Sequence, residues 1–136
     1  MKDVLNARVK HREWFRPFAP SVLEERVGDY FEHVHPSPFM MLVYRTRPEA
    51  RAKLCAVNHV DDTGRLQTVS RRQNPRYYAL IEAFERETGL AVVLNTSFNE
   101  NEPIVEAPAE ALACFLRTRM DLLVLGNWVV RRAGPA

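Results

Sequence analysis

Cysteine is scarce in this chain. Two occur among 136 residues, Cys55 and Cys114. They form no C-x-x-C pair and lack metal-ligand spacing, which excludes a disulfide framework or a thiolate-held metal as the organising device. Their apolar surroundings predict buried free thiols in a reducing, cytoplasmic compartment. Long apolar runs are missing too. None approaches the roughly 20 residues a membrane helix needs. The polar, charged start of the sequence leads us to expect no secretory signal. There is no internal repeat and no low-complexity segment. No G-x-G-x-x-G, Walker A loop or Ser-His-Asp order is present, so the common phosphate-loop and serine-hydrolase signatures are excluded. Net charge is low as well, formally +2, too small to argue for a nucleic-acid partner.

What remains is globular. Apolar residues make up 46% and charged residues 26% of the chain, and the length suits one domain, residues 1–136, with a real core. Positive charge is clustered. Lys10, His11, Arg12 and Arg16 form one group, and Arg71, Arg72 and Arg76 a second. Such groups suit an anionic ligand or a solvated face.

The pattern predicts helices alternating with strands. A short helix is expected over 3–10, capped by Asp3. A second is expected from Ser21 to Glu32, where Ser21 and Glu24 fit a capping box and Leu23, Val27, Tyr30 and Phe31 supply an apolar stripe. Residues 39–47 read as a strand covered on both faces. "CAVNHVDDTGRLQTVS" reads as a hairpin. Asn74 with Pro75 opens a helix whose inner face is Tyr77, Leu80, Ile81 and Phe84, ended by Thr88-Gly89. A strand at 90–94 follows, then a helix over 108–118 with Ala111, Leu112, Phe115 and Leu116 inside. A last hairpin turns at Gly126-Asn127. The sheet should be mixed, with helices packed on it.

Three stretches carry polar chemistry. "LNTSFNENEP" (94–103) runs from an apolar strand straight into Asn95, Thr96, Ser97, Asn99 and Asn101. A strand end of this kind can line a ligand crevice, where hydroxyls, amides and backbone N–H groups hold a phosphate, a ribose or a carbamoyl-like group. The same residues could instead close their own Asx and ST turns. "VKHREWFRPFAPS" (9–21) places Lys10 and Arg12 two apart. If extended, both project to one side, with Arg16 following in a proline-fixed segment. Otherwise they make a solvated cationic face over a core of Trp14, Phe15 and Phe18. Arg65 could be a third phosphate ligand, or could pair with Asp61 or Asp62. His59 could be catalytic or structural. His33 and His35 alternate, but no third ligand is evident and we expect no metal site.

Three long stretches, "LNARVKHREWFRPFAPSVLEERVGDYFE", "HVDDTGRLQTV" and "TGLAVVLNTSFNENEPIV", together resemble the C-terminal domain of the O-carbamoyltransferases, which modify antibiotics and nodulation factors. The likeness runs in order from about residue 3 to about 131. It implies an α/β (α+β), YrdC-like fold: a twisted mixed sheet with helices packed around a basic cavity. It also implies that a K-x-R element, Lys10-His11-Arg12, and an S-x-N element, Ser97-Phe98-Asn99, lie in that cavity and face each other across a nucleotide pocket. By the resemblance, Lys10, Arg12, Arg16 and Arg65 would grip phosphates, with Lys10, Arg16 and Arg65 catalytic. Asn95, Ser97 and Asn99 would hold the carbamoyl group and nucleotide. Carbamoyl phosphate and ATP, with Mg²⁺, would give carbamoyl adenylate, and a separate N-terminal transfer domain would pass the carbamoyl group to a hydroxyl. Family members carry a Gly-Pro-Arg-Ala-Leu-Gly-like segment ahead of the "LNARVK" region. Its absence, with that of the transfer domain, leads us to expect a detached domain: a truncated frame, an excised piece or half of a split enzyme. Two other functions fit such a fold: a module binding double-stranded RNA or a nucleotide, and an inactive fragment that docks on a partner.

Overall fold

The structure is a computed structural model that describes residues 1–32, 35–132 and 134. In chain order the elements are α1 (Lys2–Arg8), β1 (Ala19–Leu23), a 3₁₀ stretch (Glu24–Asp29), β2 (Tyr44–Arg45), a 3₁₀ turn (Pro48–Ala50), β3 (Thr63–Gly64), β4 (Gln67–Val69), α2 (Pro75–Thr88), β5 (Val92–Asn95), α3 (Pro108–Arg117), β6 (Leu122–Leu125) and β7 (Trp128–Arg131). The fold is α+β with small sheets, one of them mixed. The chain forms two compact units. One is residues 17–96; the other joins residues 1–16 to 97–136.

In the unit of residues 17–96, β1 is the centre of a three-stranded sheet ordered β4-β1-β5. It runs parallel to β4, with Ser21 opposite Gln67, and antiparallel to β5, with Ala19 opposite Asn95. All five β1 residues are buried. This corrects the helix expected from Ser21. The Ser21…Glu24 spacing mimics a cap, but Ser21 is a buried strand residue whose hydroxyl donates to Gln67 Oε1 at 2.9 Å. Two flanking strands satisfy the backbone better than one helical turn could, so tertiary pairing overrides the local signal. Helix-like backbone begins only at Glu24, and as 3₁₀.

The strand expected over 39–47 shrinks to β2. Phe39, Met41, Leu42 and Val43 are exposed. The expected hairpin over 55–70 is also corrected. A tight turn does form, with His59 N–H donating to the Thr63 carbonyl at 2.8 Å. Its arms, however, pair elsewhere: β3 with β2, and β4 with β1. Helix α2 begins and ends as the sequence predicts. Asn74 Oδ1 accepts the Tyr77 N–H at 3.2 Å, and Gly89 closes the helix at φ +74°. Its buried face is rotated from the expected one. Tyr78 and Ile81 are inside, while Leu80 and Phe84 are exposed.

In the other unit, α3 packs on the β6–β7 hairpin. Ala111, Phe115 and Leu123 form a core joined by Phe98, Val105, Met120, Leu125 and Val130. Cys114 is buried on α3, whereas Leu112 and Leu116 face outward. Gly126, at φ +60°, makes the hairpin turn the sequence predicts. Arg132 binds back over α3. Its guanidinium donates to the Phe115, Leu116 and Thr118 carbonyls and lies 4.9 Å from the centroid of the Phe115 ring. A cation there satisfies helix-end carbonyls that lack intrahelical partners. Asp3, the expected cap of α1, sits inside its first turn and makes no cap. Cys55 is exposed, contrary to expectation, and Cys114 buried. No helix among the described residues is long and apolar enough to cross a membrane.

Candidate functional site

The candidate site begins where α1 ends. The amides of Val9 and Lys10 both return to the Leu5 carbonyl, at 3.1 and 2.9 Å, and the Arg12 amide reaches the Asn6 carbonyl at 3.1 Å. His11 takes φ +42°, the left-handed geometry that lets the chain reverse. Residues 10–12 are therefore a turn and not the extended segment considered above. Lys10 and Arg12 consequently reach different partners.

Lys10 is buried, with 3% of its surface exposed. Its ammonium donates to Asn99 O (2.7 Å), Asn99 Oδ1 (2.8 Å), Ser97 O (2.9 Å) and Ser97 Oγ (3.3 Å). Three N–H groups thus share four oxygens. Burial first, and then Arg12, lower the Lys10 pKa from its ordinary value. The all-oxygen shell opposes that shift by favouring the protonated form, which offers three donors. Ser97 Oγ in turn donates to Asn99 Oδ1 at 2.6 Å, and Asn99 Nδ2 donates to the Glu102 carbonyl at 2.7 Å. Lys10 thus bonds directly to the S-x-N element instead of facing it across a pocket, and it does so without Arg12, whose Nε goes to Asn6.

Arg12 turns back to α1. Its Nε donates to Asn6 Oδ1 at 2.8 Å. Burial, followed by Arg16, lowers its pKa from the ordinary value. Asn6 is itself 1% exposed and donates Nδ2 to the Trp14 carbonyl (3.2 Å) and the Arg16 carbonyl (3.0 Å). It thereby orients the whole 12–16 segment. Sequence reading overlooked it; an amide on the inner side of an eight-residue helical stretch was the available signal. Arg16 is exposed, with a long 3.9 Å ion pair to Glu13. Trp14 and Phe15 are exposed and stack edge to face, so of the three expected core aromatics only Phe18 is buried.

A carboxylate network borders the loop. Glu102 accepts the Asn101 N–H at 3.0 Å and the Glu100 N–H at 3.2 Å. Its pKa falls to about 2, chiefly through its own backbone N–H, helped by Cys114 and by those two neighbours. Arg117 bridges Glu100 and Glu102, and His11 Nδ1 meets Glu100 Oε1. Hydrogen bonds from His11 and then Arg117 lower the Glu100 pKa. These carboxylates line a cleft of about 680 Å³ with Ile104, Val105, Glu106 and Glu110. Within this unit that cleft is acidic, not basic.

The other two site residues belong to the 17–96 unit. Asn95, at the end of β5, donates Nδ2 to Gln67 Oε1 at 2.9 Å, the same oxygen that takes the Ser21 hydroxyl. Gln67 Nε2 donates to the Pro38 carbonyl at 3.1 Å. Arg65 is exposed on the link between β3 and β4. The expected pairing with Asp62 is taken by Arg51 at 2.9 Å. His59 Nδ1 lies 3.1 Å from Thr63 Oγ1, the structural role considered for it. His33 lies outside the described residues. Among the described residues no three His, Cys, Asp or Glu side chains converge to hold a metal.

The feature these residues build is a lysine turn closed on a Ser-x-Asn loop, within an α+β fold. The chain belongs to the family described as Carbamoyltransferase C-terminus, which matches residues 1–132. It is 50% identical over 135 residues to the nodulation protein NolO of Bradyrhizobium diazoefficiens, covering 96% of this chain and 25% of that protein. It is 46% identical over 153 residues to the uncharacterized protein sll1178 of Synechocystis, covering 97% of this chain and 25% of the relative. With the uncharacterized protein MJ1058 of Methanocaldococcus jannaschii identity is 38% over 132 residues, or 96% of this chain and 22% of the relative. The chain therefore spans about a quarter of the length of these relatives.

Proposed function

We propose that this chain is the carbamoyl-adenylate-forming part of an O-carbamoyltransferase. The observation that carries the reading is the Lys10 ammonium held on Ser97 and Asn99. The longest of its four bonds, 3.3 Å to the Ser97 hydroxyl, is the one an arriving phosphate oxygen would replace. The exchange trades a neutral acceptor for a charged one, which makes a stronger bond. Arg16, exposed and loosely paired, is free to swing to the same anion, and Arg12 is held nearby in sequence by Asn6. In the 17–96 unit, Arg65 would be a further phosphate ligand and Asn95 a carbamoyl or nucleotide contact.

The reaction balances as two steps. Water cleaves carbamoyl phosphate to carbamate and inorganic phosphate. A carbamate oxygen then attacks the α-phosphorus of ATP, the bond to the β,γ-phosphates breaks, and carbamoyl adenylate and pyrophosphate result. Negative charge grows on the α-phosphoryl oxygens, and fixed cations stabilise it. Mg²⁺ would arrive as MgATP, part of the substrate. Transfer to a hydroxyl acceptor would fall to the part of the longer relatives that this chain does not match.

The test is carbamoyl-phosphate-dependent release of pyrophosphate from MgATP, with carbamoyl adenylate identified by mass spectrometry. Arg16→Ala, which removes an exposed side chain, should lower the rate about 10²–10³-fold, as loss of one charge-stabilising donor does. An Arg16→Ala chain as active as the parent, or a parent that neither binds ATP nor releases pyrophosphate, overturns the reading.

A further inference from the structure

Between Lys10 and Arg12 stands His11, and its partner is a carboxylate. Its backbone is held at φ +42°, a left-handed geometry that costs energy in a residue with a Cβ. Its Nδ1 meets Glu100 Oε1. Arg117 Nε donates to Glu100 Oε2 at 3.0 Å, and the same guanidinium reaches Glu102. Both oxygens of Glu100 are thereby engaged, which fixes the carboxylate against the ring. The Glu100 side chain lies inside, 16% exposed, and the imidazole outside it, at 43%.

The pairing sets the tautomer. Hydrogen bonds from His11 and then Arg117 lower the Glu100 pKa, so the carboxylate is ionised at neutral pH and accepts. Nδ1 therefore carries the donated proton. In the neutral ring the lone pair then sits on Nε2, the nitrogen away from Glu100. A carboxylate that orients an imidazole in this way is the arrangement by which hydrolases make a base. A plain surface ion pair would need neither a cation fixing the far side of the carboxylate nor a left-handed backbone.

We propose that His11, aligned by Glu100, is the general base for the water that splits carbamoyl phosphate. The proposal rests on the adenylation reading above and assigns its first step. Nε2 takes a proton from water as the water oxygen bonds to the carbonyl carbon. The carbonyl electrons move onto oxygen and return, the bond from carbon to the phosphate oxygen breaks, and phosphate leaves with that electron pair. The carbamic acid sheds its own proton to solvent as carbamate, and the imidazolium passes its proton to the phosphate. The Lys10 ammonium, one residue away, is the cation that would take the departing charge.

Two assays separate the steps: phosphate release from carbamoyl phosphate, and pyrophosphate release from MgATP with ammonium carbamate supplied instead. His11→Asn tolerates the left-handed backbone and keeps a donor toward Glu100, but has no basic nitrogen. It should lower kcat for phosphate release about 10²–10⁴-fold, the usual worth of a general base, with KM little changed. Pyrophosphate release from supplied carbamate should fall far less. Free imidazole should restore part of the phosphate release of His11→Ala, which a purely structural histidine would not allow. Phosphate release by His11→Asn equal to that of the parent overturns the proposal. So does an equal loss in both assays, which would make His11 a support for the loop. A parent that forms carbamoyl adenylate from supplied carbamate, yet releases no phosphate from carbamoyl phosphate, overturns this step alone. A parent that does neither overturns the adenylation reading with it.

Discussion

At the scale of single residues, the candidate site is a matter of who holds the cations. Lys10 and Arg12 look equivalent in the sequence, but one is closed on a loop and the other is held by an amide. Asn6 satisfies both of its donors and its acceptor inside the fold. Replacing it by Ala removes two donors from the Trp14 and Arg16 carbonyls and one acceptor from the Arg12 guanidinium. The expected loss is about 2–3 kcal/mol, within the cost of orphaned buried polar groups, read as a lower denaturant midpoint. Asn6→Asp should recover only part, because it keeps the Arg12 contact and turns a carboxylate toward two carbonyls. The K-x-R and S-x-N resemblance brings Lys10 and Ser97-Phe98-Asn99 to one place, but does not give the direct bonds between them. Asn6 was not legible, since nothing in a lone asparagine announces what will fold over it.

Among the elements, legibility followed local chemistry. Asn74-Pro75, Thr88-Gly89, Pro108 and Gly126-Asn127 each fix a boundary through their own backbone preferences, and each boundary stands where expected. Asn74→Ala should cost about 1 kcal/mol by removing the cap on the Tyr77 amide. Arg132→Ala should cost about 1–3 kcal/mol through the α3 carbonyls it abandons; thermal unfolding checks both. The misread elements lack such markers. β1 carries a helix-like local pattern, and the partners that make it a strand lie far along the chain, at Gln67–Val69 and Val92–Asn95. The apolar run at 39–43 read as buried, yet it lies outside any strand. Hydrophobicity says that a segment prefers cover, and cannot say what supplies it.

For the molecule as a whole, acid is the sharpest probe. Glu102, Glu100, Glu110 and Asp61 all have pKa values lowered in the fold, by their own loop's N–H groups, by His11, by the Glu106 amide and by Thr63 respectively. A carboxylate held low stabilises the native state above its unfolded pKa and loses that contribution as pH falls through the folded value. Stability should therefore be level above about pH 5 and decline toward pH 2, measured as the denaturant midpoint against pH. Glu102→Gln, which cannot titrate, should flatten part of that decline.

The division of the sequence between the two units has a consequence for synthesis. Residues 17–96 are one continuous stretch, complete as soon as it clears the ribosome. The other unit is built from both ends, and the Lys10 contact with Ser97 spans 87 positions. Contacts so distant along a chain close late. During translation the Lys10 side chain must wait for Ser97 and Asn99 until the whole inserted unit and the loop behind it have emerged. The unit that holds the Lys10 turn thus closes only after the 17–96 unit it encloses.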